Sequence, residues 1–360
     1  MTRRAPSSTG PGPMPGTDPR EAARIVMGEC HALPYLPELT DRGPGTDLMG
    51  RTAAMLVDLP VDVSPRGWRL ASSPGRLARV AADLLDRDSD ALEEADELVR
   101  DPEADPVDDA RLLQVRIRGP WSLTAGLELA SGMPVSSDRG ARRDVAASLA
   151  EGVSRFATGL AGRLRTGSRI ILDEPLLWRV AAGTVPAPST FDPVPAVSVD
   201  QIGLALCRFA DSLRAGGVDE ILLRVPTASG PDAPALYTAF AEPPADEAAL
   251  DGLCLAAEPL RRASSHDALD AAGMVLGAGR ILQLEGSPDG RGWPDASSGA
   301  EHAARELLHL MDRLSAPRYE SLHQLTLTPT EEQMTGSAAA ATRALAGARS
   351  VAETAPRVAE

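Results

Sequence analysis

Short apolar runs alternate with helical patterns along nearly the whole chain, and each run closes on glycine, proline or a polar residue. Residues 112–117, 169–172, 220–225, 252–256, 273–277 and 323–328 are too short for buried helices and read as strands. Between them, apolar residues recur at helical spacing. The clearest case is 138–164, where Val145, Leu149, Val153, Phe156 and Leu160 mark one face. Residues 199–215, 300–314 and 337–352 repeat the pattern, and shorter helices are expected over 47–56, 74–85, 91–99, 233–240 and 245–250. Asp18-Pro19 opens a first helix as an N-cap followed by proline in the first turn. With a short strand near residue 8 and another at 61–63 or 68–70, about eight strands alternate with helices. Such alternation predicts a parallel sheet, and eight units close into a (β/α)8 TIM-type barrel, an α/β fold. An open doubly wound sheet is the alternative, but no Gly-x-Gly-x-x-Gly follows any strand. The expected organisation is a disordered start over 1–6, one barrel domain over 7–345, and a helix end and tail over 346–360.

The strand at 169–172 ends in Asp173-Glu174-Pro175, followed by a short helical stretch that stops at Gly183. Two acids at the carboxyl end of a buried strand stand where α/β folds build sites. The plainer reading has Asp173 capping the following helix and Glu174 in solvent.

The chemistry open to the chain is bounded by what it lacks. All 36 basic residues are arginine, so a Schiff base, a Walker lysine and a lysine general base are excluded. A net charge of −15 argues against nucleic acid or an anionic membrane as partner. Acidic runs at 86–90 and 93–97 read as solvated helix faces. Three scattered cysteines without a CxxC fit a reducing compartment, and with no signal core or spanning run the expected location is cytoplasmic.

The order of several motifs carries further information. Residues 12–19 (GPMPGTDP), 36–39 (LPEL), 45–47 (GTD), 114–121 (Gln114 to Gly119-Pro120-Trp121), 172–175 (LDEP) and 327–330 (LTPT) follow in series. Together they resemble the catalytic domain of cobalamin-independent methionine synthases in a short single-barrel form, over about residues 7–345. The resemblance implies a barrel in which zinc holds homocysteine as a thiolate and a folate-type donor supplies the methyl group. It places Asp173, with Glu174 beside it, at the substrate ammonium, Trp121 in the segment on the pterin side, and Asp47 among the substrate-binding positions.

The same comparison finds the zinc ligand positions substituted. They carry Arg224, Pro226, Ala256 and Glu331, and the serine that would bind substrate carboxylate is Pro13. Arginine is a permanent cation, and proline and alanine offer no side-chain donor atom. Cys254, His266, His302, His309 and His323 form no replacement cluster by spacing. Cys254 alternates with leucines as a core residue would, and His302 and His309 are seven apart on a charged helix.

Three functions follow from this reading. The first is a methionine-synthase-like S-methyltransferase acting on a homocysteine-like amino acid. The second is a catalytically inactive relative that binds a small metabolite or protein partner. The third is metal-free chemistry on a barrel like that of uroporphyrinogen decarboxylase, where a cluster of arginines, with Arg118, Arg179 and Arg224 as candidates, would grip substrate carboxylates.

Overall fold

A computed structural model describes residues 5–100, 111–188, 191, 193–225, 250–261, 266–294, 297–318 and 320–360. Residues 1–4 of the expected disordered start, the expected helix at 233–240, all but the last residue of the one at 245–250, and Pro226 lie outside them. The backbone divides into two compact units. One contains residues 1–41, 91–114 and 251–360, and the other contains 42–90 and 115–250.

The strands in chain order are β1 (Ser7–Ser8), β2 (Pro13–Met14), β3 (Glu38–Leu39), β4 (Val61–Ser64), β5 (Gly67–Leu70), β6 (Leu112–Arg118), β7 (Gly167–Asp173), β8 (Glu220–Arg224), β9 (Gly252–Ala256), β10 (Ile281–Glu285) and β11 (Leu325–Thr328). In the first unit β1, β11, β10 and β9 lie side by side, all parallel. There β2 also pairs with β3 in parallel, and Tyr35 bridges to Gln114 at the start of β6. In the second unit β6, β7 and β8 are neighbours, with Asp173 in register with Arg224. The strands are apolar because both faces are covered: Ile170, Leu172, Leu222 and Leu223 are all fully buried.

Among the helices, α1 (Pro19–Glu29) is capped by Asp18, whose side chain accepts from the Arg20 amide. Next come α2 (Leu48–Ala53), α3 (Arg76–Val99), α4 (Pro120–Gly126), α5 (Arg139–Leu164), α6 (Leu177–Ala182) and α7 (Val199–Ala215). The later helices Ser297–Arg313 and Ala338–Val358 also match the sequence pattern, the last one continuing through Pro356. None of the helices is long and apolar enough to cross a membrane among the described residues.

Four expectations are corrected. The stretch 273–277 is not a strand but the end of a helix, His266–Gly277. Its apolar residues Ala271, Ala272, Val275 and Leu276 bury one face at helical spacing, which a five-residue window cannot distinguish from a strand. The segments 61–63 and 68–70 are both strands, but they form an antiparallel hairpin, β4–β5, and not a unit of the parallel sheet. The two helices expected over 74–85 and 91–99 are one, α3.

The acidic runs on α3 are not simply solvated. Asp88 and Asp96 are fully buried and continue the stripe of Ala81, Leu85, Leu92 and Ala95. Asp88 accepts from Arg51 at 2.7 Å and from both terminal nitrogens of Arg42, at 2.7 and 2.8 Å. Asp96 pairs with Arg111 at 2.9 Å and with Arg100. A buried carboxylate is tolerated only where such partners replace its water.

Candidate functional site

The carboxyl ends of β6, β7 and β8 bring together Arg118, Asp173, Glu174 and Arg224. Asp173 is the last residue of β7 and is 3% exposed. Its two oxygens are divided between two cations: Arg118 donates to Oδ2 at 2.6 Å and Arg224 to Oδ1 at 2.9 Å. Both guanidiniums stand at strand ends, with side chains 21% and 14% exposed, so they are only partly covered there. Register explains the pairing, because Asp173 and Arg224 are direct partners on β7 and β8. A backbone bond from the Gly119 amide to the Asp173 carbonyl, at 2.9 Å, ties the end of β6 to β7.

Glu174 does different work. It is fully buried, and its carboxylate accepts from the Trp121 amide at 2.9 Å and the Ser122 amide at 2.7 Å. These are first-turn amides of α4, whose own N-cap, Gly119, has no side chain to satisfy them. Glu174 therefore caps α4 from another element, so of the two acids read from sequence neither caps the helix that follows them. The Ser122 hydroxyl accepts from the Leu176 amide at 3.0 Å. Burial pushes the Glu174 carboxyl up to about 7, against the lowering effect of the Ser122 hydroxyl and the two amides, with nearby Asp173 adding to the rise.

The remaining sequence candidates are dispersed. Trp121 is buried in α4, with the Arg142 guanidinium 4.9 Å from its ring centroid. Asp47 is exposed and caps α2, accepting from the Gly50 amide at 2.9 Å. Arg179 stacks on the neighbouring Trp178 ring at 4.6 Å. Ala256 ends β9 in register with the buried Glu285, and Glu331 precedes the short turn Glu332–Met334. Zinc does not fit these residues. Arg224 is a cation bound to Asp173, Ala256 has no donor, and among the described residues no three His, Cys, Asp or Glu side chains gather as a metal site. Arg118, a candidate for the arginine cluster in the sequence, joins Arg224 on Asp173. Its place immediately before Gly119-Pro120, at a strand's carboxyl end, was the available signal.

No protein-family model and no curated protein matches the chain. Solved structures do resemble it. A B12-independent methionine synthase from Shewanella sp. W3-18-1, in complex with selenomethionine, is 13% identical, covering 97% of both chains at a TM-score of 0.49. A putative vitamin-B12 independent methionine synthase from Listeria monocytogenes is 14% identical, covering 99% of this chain and 98% of that one at 0.46. A methyltransferase from Methanosarcina mazei is 14% identical, covering 97% of this chain and 94% of that one at 0.53. At that level of identity the likeness is one of fold: the chain is folded like that methyltransferase.

Proposed function

We propose that this chain is a methionine-synthase-like (β/α)8 barrel that binds a small carboxylate-bearing metabolite at Arg118 and Arg224 without zinc–thiolate chemistry. The observation that carries the reading is Asp173 shared between two guanidiniums at adjacent strand ends. Arg118 gives Asp173 one terminal nitrogen and keeps a side chain 21% exposed, and the fork geometry of arginine suits a second, bidentate carboxylate from a ligand. The parallel pairing of β2 with β3 and the bridge from Tyr35 to Gln114 support residues 35–39 as the eighth barrel strand.

A second reading is S-methyl transfer from a folate-type donor to homocysteine. Likeness of fold to a methyltransferase favours it. In this reading Asp173 would receive the substrate ammonium and would have to leave one of its arginines to do so.

One experiment separates the two. Glutarate, methionine and homocysteine are titrated against the purified protein, each with and without added zinc, and zinc content is measured before and after dialysis against a chelator. Carboxylate binding that ignores zinc and is lost in Arg118→Gln supports the first reading. Chelator-resistant, near-stoichiometric zinc with homocysteine binding that depends on it would overturn it in favour of the second.

A further inference from the structure

A groove of about 900 Å³ opens within the second unit between the start of α4, the first turns of α5 and the length of α7. Arg139, Arg142 and Arg143 from α5 and Arg208 from α7 line it, together with Trp121. No acidic side chain lines it among the described residues, although the chain as a whole carries 51 acids against 36 bases. Acids do stand nearby. Asp144 lies 3.6 Å from the exposed Arg143, and Asp138 offsets part of the charge on Arg142. Apolar side chains of α7 line it as well, among them Leu204, Ala205 and the buried Phe209.

Two further observations point to an occupant. The indole of Trp121 is 5% exposed, and its Nε1–H, a donor, has no hydrogen-bond partner among the described residues. Arg142 is held over that ring, half-buried, with the exposed Arg139 near enough to oppose its charge. Holding cations together in this way is unfavourable unless an anion offsets it. The volume lies within the range of small-molecule sites, and the mixed wall matches one apolar surface with a few convergent polar groups.

We propose that this groove is a second site, separate from the Arg118–Asp173–Arg224 cluster, for a small organic polyanion. Such a ligand carries two or more phosphate or carboxylate groups on a flat apolar body. The arginines take the anionic groups, and the body lies along Leu204 and Phe209. The reading does not depend on what binds at Asp173.

The test is calorimetric titration of the full chain with adenosine diphosphate, inorganic pyrophosphate and citrate at low and high salt. Adenosine diphosphate should bind, more tightly than pyrophosphate because it adds a flat body, and weaken as salt rises. Binding by citrate but not by the two phosphates would assign the groove to carboxylates. Arg139→Gln/Arg142→Gln should weaken the tightest probe by about ten-fold or more, and Arg118→Gln should leave it unchanged. If the double variant does not fold, Arg139→Gln alone, exposed in the first turn of α5, still reads the effect. Absence of binding by all three probes at millimolar concentration, or equal affinity in the wild type and the Arg139 variants, would overturn the proposal.

Discussion

Gly119 stands so close to Glu174 that a Cβ at Gly119 would lie 2.4 Å from the Glu174 Oε1. That contact is how the end of β7 holds the start of α4, since the same carboxylate caps the helix. Gly119→Ala should therefore push Glu174 off its amides and cost about 1–3 kcal/mol of stability. Urea unfolding of the variant and wild type measures it. A difference within error would mean that α4 moves away at little cost.

The carboxyl of Glu174 titrates near neutrality because burial disfavours its charge. In the unfolded chain it titrates as an ordinary glutamate, so between the two values the folded state binds more protons. Stability from this group is fully present below the ordinary glutamate range and declines as pH rises through about 7. Glu174→Gln removes that slope. Unfolding free energies from urea titrations between pH 5 and 8 should fall more steeply for the wild type than for the variant, by on the order of 1–3 kcal/mol across the window. Parallel profiles would place the proton elsewhere.

Asp88 holds Arg42 and Arg51 with no exposure of its own side chain. Removing it takes the shared carboxylate from two guanidiniums, one of them, Arg51, itself buried. Asp88→Ala should cost roughly 3–5 kcal/mol, while Glu151→Ala, at an exposed pair on α5, should cost under about 1 kcal/mol. Equal losses would show that the Asp88 cluster owes nothing to burial.

These cases mark the limit of what the chain discloses before it folds. Strand and helix periods are local, so α5, α7, β7 and β9 were legible from apolar spacing and flanking glycines. Asp88 and Asp96 were not, because an acidic run looks solvated unless each residue is placed on the helix stripe. That placement alone would have put both on the buried face. At the site, Asp173 and Glu174 stood out as a pair, but their division of labour is set by partners 51 to 55 residues away in the chain. No spacing rule reaches that far. The pairing of Arg224 with Asp173 came only with strand register.

Because Arg118 and Arg224 share one carboxylate, their contributions should not add. Arg118→Gln leaves Asp173 to Arg224 alone, and Arg224→Gln leaves it to Arg118, so either single variant keeps the buried carboxylate paired. The double variant leaves that charge without either guanidinium, a situation costing several kcal/mol where burial is complete. The double loss should exceed the sum of the single losses by about 1 kcal/mol or more, measured as a double-mutant cycle in urea. The same cycle in an Asp173→Asn background should collapse toward additivity, since the shared charge is gone. Additivity in the wild-type background would mean that the arginines act independently, and the shared-carboxylate account of this site would fail.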